Sequence, residues 1–353
     1  MKGIVLGITI LSSLIISIVG FILLGKKSIF KFLIKKNTTA ERWAIQSKPI
    51  FGGVMFYICF VCALGGIACV YGVNEILSHL CIFICVSLSF FMGMFDDLKN
   101  QGPLKKFISQ ILSATILIMC NIHIEISGNM TIDILLTYFW IVGIMNSINM
   151  LDNMDAITGL VSITILGNIL GIAIFSENTD VSSIVILGAI TTSICVYLYW
   201  NWNPSKIYMG DNGSQFLGIV LAIFSIKYIW NTSYTVHGFI YQNVVLIALA
   251  FLLPIIDTTV VFINRIAAGK SPFIGDRYHT THNLVYMGMS EKGVARLFAT
   301  ISLISNSFVF YIIVFKPIRI SMLLYILILV YIATLFISFF AISRYVKIKK
   351  ITK

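Results

Sequence analysis

ILSHLCIFICVSLSFFMGMFDDLK, residues 76–99, is the stretch on which the fold turns. From Ile76 to Phe95 it is almost unbroken apolarity of the length a helix needs to cross a bilayer, and it ends on two adjacent carboxylates, Asp96 and Asp97, followed by Lys99. Ionised carboxylates are excluded from hydrocarbon. The stretch therefore reads as a transmembrane helix that delivers an acidic pair to one membrane face.

Runs of the same kind recur along the chain. With 76–95 they make eleven: 3–25, 50–72, 104–121, 131–148, 158–176, 183–200, 214–230, 243–263, 296–315 and 320–342 are the others. At 58% hydrophobic and 11% charged residues over 353 positions, the chain is too apolar for an ordinary soluble domain. The expectation is an all-α, polytopic membrane protein of about 11 transmembrane helices, forming a single integral-membrane domain over residues 1–353. Met1 to Leu24 reads as a retained helix, since no small-residue cleavage site follows it. No internal repeat of the inverted-transporter kind is visible.

The net charge of +11 is distributed as a membrane protein would distribute it, so nucleic acid is not an expected partner. Alternate loops, 26–49, 96–106, 201–213 and 264–296 with the tail 343–353, carry 21 of the 25 Lys and Arg. The positive-inside rule makes that set cytoplasmic, with the N-terminus outside and the C-terminus cytoplasmic. All seven cysteines lie inside apolar runs and read as packing residues. Cys59-x2-Cys62 has metal-like spacing without partners.

Acid is scarce, and its placement is informative. Asp96, Asp97, Asp152, Asp155 and Asp211 come from three segments that this topology brings to one face. Each alone would be an ordinary helix-end residue. Carboxylates at such density repel unless a cation sits among them, and Mg²⁺ suits, because it takes one or two carboxylates and fills its other positions with water and phosphate oxygens. Asn146, Asn149 and Asp152, three apart, line one face of a helical turn, and amides beside carboxylates suit a nucleobase or sugar. In Met209-Gly210-Asp211-Asn212-Gly213-Ser214, the glycines allow close backbone approach and the following helix start favours phosphate. The longest basic loop holds Lys270, Arg277, His279 and His282; a phosphate-facing role fits it better than zinc, for which no ligand frame is present. Pro254 is expected to kink its run, and Asp257 beyond it to be paired or cavity-facing.

Taken together, Lys48-Pro49-Ile50-Phe51-Gly52-Gly53, Gly93-Met94-Phe95-Asp96-Asp97, Asn146-x2-Asn149-x2-Asp152-x2-Asp155, Met209 to Ser214, Pro254-x2-Asp257-Thr258 and Ser271-Pro272-Phe273-x2-Asp276-Arg277-x-His279-x2-His282 resemble, in order, the polyprenyl-phosphate N-acetylhexosamine-1-phosphate transferases of glycosyltransferase family 4. The likeness is closer to the undecaprenyl-phosphate N-acetylglucosamine-1-phosphate branch than to the phospho-N-acetylmuramoyl-pentapeptide branch. It implies that an oxygen of undecaprenyl phosphate attacks the β-phosphorus of a UDP-N-acetylhexosamine and releases UMP, starting a lipid-linked cell-envelope glycan. Asp96, Asp97, Asp211, His279 and His282 are then the expected catalytic residues. Lys105, Lys106, Asn146, Asn149, Asp152, Asp155 and Arg277 are the expected substrate contacts, and Asp211 with Asp96 the ligands of Mg²⁺, with Mn²⁺ as the alternative. The resemblance also implies a multi-pass protein of the bacterial inner or plasma membrane with its active site facing the cytoplasm, and a homodimer is entertained.

The chain departs from that pattern twice. The resemblance leads one to expect Asp-Gly-x-Asp-Gly where this chain has Asp152-Asn153-Met154-Asp155-Ala156, and His-x-His-His where it has His279-Thr280-Thr281-His282. Altered donor preference is the favoured reading of both. On charge grounds Asp97 is expected to orient more than to deprotonate, because a lipid phosphate is already mostly dianionic at neutral pH. A lateral groove for lipid is expected near Asp257 and Pro254. Two other classes compete: a cation-coupled transporter, on Asp257 and the kinked run, and an inactive scaffold, on Asn153, Ala156 and Thr281.

Overall fold

The computed structural model of the protein describes residues 2–25, 48–72, 79–99, 101–176, 180–232, 242–269, 271, 279–315 and 322–351. Among the described residues all regular structure is helical, apart from one isolated parallel bridge between Ile50 and Tyr208. The helices are α1 (Lys2–Gly25), α2 (Gly52–Tyr71), α3 (Leu80–Lys99), α4 (Pro103–Met119), α5 (Met130–Leu151), α6 (Ile157–Phe175), α7 (Val181–Asn201), α8 (Gly210–Ser225, continued by a π-helical turn Ile226–Trp230), α9 (Gln242–Ala250), α10 (Leu252–Ile266), α11 (Thr280–Tyr286), α12 (Glu291–Phe315) and α13 (Met322–Ile351).

Every one of the eleven apolar runs holds a helix, because a backbone in hydrocarbon must satisfy its own hydrogen bonds. Eight helices among the described residues are long and apolar enough to cross a membrane, or nine if the bent pair α9–α10 is one span. The molecule is multi-pass on that count. Helix α4, at 17 residues, is shorter than those eight.

The run 243–263 is not one kinked helix. It breaks into α9 and α10, bent by 83°, and the break falls at Phe251, ahead of Pro254. Pro254 sits in the first turn of α10, where its missing N–H leaves no helical bond unmade.

Helix α8 is the axis of the bundle. Of its most apolar stretch, within Gly210–Trp230, 94% is buried, against 17% for that of the last helix. A helix apolar on all sides belongs inside other helices, and α2, α3 and α5 enclose this one. Aromatic rings fill the α2–α3–α8 seam: Tyr57 stacks on Phe90 at 4.3 Å, and Phe60 meets Phe216 edge-on at 6.0 Å. Apolar side chains on the outside, such as Leu104, Phe139 and Leu323, are exposed as lipid-facing residues are. Side-chain hydrogen bonds join helices across the interior, as from Trp140 Nε1 to Ser225 Oγ at 3.0 Å and from Asn168 to Asn306 at 3.0 Å.

The reading of all seven cysteines as free packing residues needs correction. Cys81 and Cys120 form a disulfide, closing the open end of the α3–α4 hairpin. Antiparallel helices joined by a three-residue connection bring positions at matching heights together, and a sulfur on each then lies within bonding reach. The other five, Cys59, Cys62, Cys69, Cys85 and Cys195, are free.

Candidate active site

Three segments remote in sequence meet at the first turn of α8. Gly210 there has φ +78°, a conformation that a side chain would strain, and an added Cβ would lie 2.2 Å from Ile50 Cγ2. Gly93 of α3 admits the same turn by close approach: a Cβ at that position would stand 2.3 Å from the carbonyl oxygen of Asp211. Residues 49–53 line the other side, with Tyr208 N donating to Pro49 O and Gly53 N to Met209 O.

The close contact is what lets Asp97 cap α8. Its Oδ1 accepts the amide of Asp211 at 3.0 Å; its Oδ2 accepts the amide of Asn212 at 3.0 Å and the side-chain Nδ2 of Asn212 at 2.6 Å. Both oxygens are thereby committed to the helix start, where the macrodipole favours negative charge. Asp96, its neighbour, faces elsewhere. Lys106 of α4 reaches in and places Nζ 2.7 Å from Asp96 Oδ2 and 2.6 Å from Asp211 Oδ2. Lys105, beside it on α4, is exposed.

The pair Asp96 and Asp211 fits a divalent cation. Both carboxylates converge on one positive charge, and the remaining oxygen of Asp96, Oδ1, is buried without a hydrogen-bond partner. Among the described residues no group of three or more His, Cys, Asp and Glu forms a metal cage. Two carboxylates completed by phosphate oxygens and water is the set that Mg²⁺ accepts.

The asparagine face of α5 supports this centre from below. Asn149 Oδ1 accepts Ser214 Oγ at 2.7 Å. Asn146 exchanges bonds with Gln110, whose Nε2 also donates to Gln215 Oε1 at 3.1 Å. Gln110 follows Lys106 by four residues and Gln215 follows Asp211 by four, so an amide rung lies directly beneath the charged one. The sequence reading missed both glutamines; their signal was that same spacing of polar residues inside apolar helices.

Asp152 takes the C-cap position of α5. Asp155 is turned to the connection before α8, accepting Ser205 N at 3.0 Å and Ser205 Oγ at 2.8 Å. It fixes a loop that the spacing argument had not connected to it. Asp257, wholly buried, holds the start of α11: it accepts Thr280 N at 2.8 Å and Thr280 Oγ1 at 2.6 Å, and pairs with His279 Nδ1 at 2.9 Å. His282 lies one turn on, its ring 5.6 Å from that of His279. Lys270, Asp276 and Arg277 lie outside the described residues.

Residues 79–229 match the sequence family described as Glycosyl transferase family 4. The family segment takes in Asp96, Asp97, Lys106, the asparagine face and Asp211, and stops short of α11. The chain is similar to a protein of Bacillus subtilis named a probable undecaprenyl-phosphate N-acetylglucosaminyl 1-phosphate transferase, 28% identical over 57% of this chain and 56% of that one. It is similar to the decaprenyl-phosphate N-acetylglucosaminephosphotransferase of Mycolicibacterium smegmatis, 30% identical over 57% and 55%. A phospho-N-acetylmuramoyl-pentapeptide-transferase of Limosilactobacillus fermentum is 27% identical over 73% and 81%. The chain thus spans little more than half the length of the first two relatives. By identity, its likeness is nearer these N-acetylglucosamine relatives than the N-acetylmuramoyl-pentapeptide one.

Proposed function

We propose that this protein transfers N-acetylhexosamine 1-phosphate, with N-acetylglucosamine 1-phosphate as the first candidate, from a UDP-sugar to undecaprenyl phosphate, starting a lipid-linked cell-envelope glycan. The observation that carries the reading is the convergence of Asp96, Lys106 and Asp211, from three helices, within 2.7 Å contacts at the capped start of α8. The names of its relatives support the same chemistry.

In this reading an oxygen of the lipid phosphate forms a bond to the β-phosphorus of the donor. The bond from that phosphorus to the bridging oxygen breaks, and UMP leaves with the oxygen. The reactants bring about four negative charges together, with the lipid phosphate contributing between one and two of them, so repulsion is the main barrier. The Lys106 ammonium offsets part of it, and the α8 amides offer a further positive field. Mg²⁺, or Mn²⁺, would be held by Asp96 and Asp211 and supplies charge neutralisation of the diphosphate. Asp97 orients: with both oxygens bound to the α8 start, it keeps Asp211 aimed at Lys106. His279, set by Asp257, and His282 contribute on the α11 side, with Arg277, Lys105, Asn146, Asn149, Asp152 and Asp155 as the wider substrate-facing set.

The proposed setting is a bacterial plasma membrane with the site cytoplasmic, the N-terminus outside and the chain acting as one integral-membrane domain, alone or as a homodimer. The Lys and Arg asymmetry supports that orientation. So does the disulfide at the far end of α3, since disulfides persist on the oxidising side.

The deciding experiment combines purified protein in detergent with Mg²⁺, undecaprenyl phosphate and a panel of UDP-sugars, scored for UMP release. Release with a UDP-N-acetylhexosamine is the expected outcome. Cation uptake by proteoliposomes without UMP release would replace this reading by transport, and donor binding without turnover by a scaffold.

A further inference from the structure

The two places where the chain departs from the resemblance pattern touch each other. Thr281, in the first turn of α11, donates from Oγ1 to Asn153 Oδ1 at 2.6 Å, and Asn153 follows directly on Asp152 at the end of α5. We infer that Asn153 and Thr281 form one positioning unit, which clamps the histidine-bearing helix to the aspartate turn and sets the fit of the nucleotide-sugar donor between them. The inference rests on the transferase reading.

Helix α11 has seven residues, too few to hold itself in place. Two neighbours grip its start from different directions. Asp257 ties it to α10 through Thr280 and His279, and Asn153 ties it to the end of α5. Thr281 is wholly buried, so its hydroxyl has no water to fall back on if Asn153 moves away. Asn153 is itself fixed: its Nδ2 donates to Met150 O at 3.0 Å, a carbonyl in the last turn of α5 that has no helical partner of its own. Rotating the amide breaks both bonds together. The relay Thr281 to Asn153 to Met150 therefore transmits position in both directions, and each end is one peptide from a proposed substrate-facing residue, His282 on one side and Asp152 on the other.

Neither member carries charge or is placed to meet the reacting phosphates, so both are positioning residues. A hydroxyl beside an amide at this junction also makes Asn153 and Thr281, two of the three differing positions, one matched change in a site whose carboxylates are all retained.

The test uses the full-length protein in detergent with Thr281→Val, Asn153→Ala, the double variant and Thr281→Ser. UMP release is titrated separately in UDP-N-acetylglucosamine, UDP-N-acetylgalactosamine and undecaprenyl phosphate, and UDP affinity is measured by calorimetry. Removing the bond is expected to raise the donor KM and weaken UDP binding about tenfold, the size of one buried hydrogen bond. The KM for undecaprenyl phosphate and kcat should stay close to wild type, Thr281→Ser should restore the donor KM, and the double variant should be no worse than either single. The clamp is overturned if UDP affinity is equal in wild type and Thr281→Val, if the double variant shows the product of the single effects, or if donor KM and lipid KM both rise and kcat falls in step with a falling melting temperature. A wild type that binds UDP about tenfold tighter than Thr281→Val yet releases no UMP overturns the transferase reading and keeps the clamp. No UDP binding by either overturns both.

Discussion

Asp97 is held at the start of α8 by three N–H groups on its two oxygens. Replacing it by Asn keeps the shape but turns an N–H₂ toward amide donors. The expected loss is on the order of 1–2 kcal/mol of stability, the scale of a helix cap, together with activity. Because the predicted role is orientation, UMP release lost at pH 7 should stay lost at pH 9; full recovery at pH 9 would make Asp97 a base instead. Lys106 carries a different load, as the cation between Asp96 and Asp211. Lys106→Met leaves two carboxylates facing each other and should cost on the order of 3 kcal/mol. Mg²⁺ should then raise the melting temperature of the variant by more than it raises that of the wild type. Equal shifts would mean that Asp96 and Asp211 do not share the metal. The sequence alone pointed to both lysines 105 and 106; only the helix rotation of α4 distinguishes the inward one from the exposed one.

At the scale of elements, boundaries follow from backbone geometry that composition does not reveal. Ala156 precedes α6 with φ +65°, its amide donating to Asn201 Oδ1 at 2.8 Å. A glycine there would avoid the left-handed penalty of about 1–2 kcal/mol, while giving up a buried methyl of about 0.8 kcal/mol. Ala156→Gly is therefore expected to leave the melting temperature nearly unchanged. Ala156→Val puts a branched side chain in the same conformation at a buried position, and should lose on the order of 3 kcal/mol. Thermal melting of the two variants in detergent checks the pair; similar behaviour of both would remove the strain argument. The break between α9 and α10 was half legible. Pro254 announced an interruption in the run, but Phe251 is where it falls, because a proline in a first helical turn is accommodated while the turn before it opens.

For the whole molecule the Cys81–Cys120 disulfide ties together the two helices that deliver Asp96, Asp97 and Lys106, about 22 Å from the acidic end by helix rise. Cys81→Ser is expected to lower stability by about 2–4 kcal/mol with the site's substrate affinities unchanged. In intact cells a membrane-impermeant reductant followed by an impermeant maleimide should label both cysteines; labelling only after lysis would put the acidic end outside and overturn the proposed orientation. Apolar run length sufficed to read eleven helical segments, because a chain in lipid has no other way to satisfy its backbone. Charge placement sufficed to group Asp96 and Asp97 with Asp211, because hydrocarbon excludes carboxylates wherever they fall in the chain. What these patterns could not contain is rotation and contact across helices far apart in sequence. That Asp97 caps α8, that Asp155 holds the loop at Ser205, that Gln110 meets Gln215 and that Thr281 meets Asn153 all depend on which face each helix turns to its neighbours. Close fitting around α8 decides that, and no single segment's periodicity does.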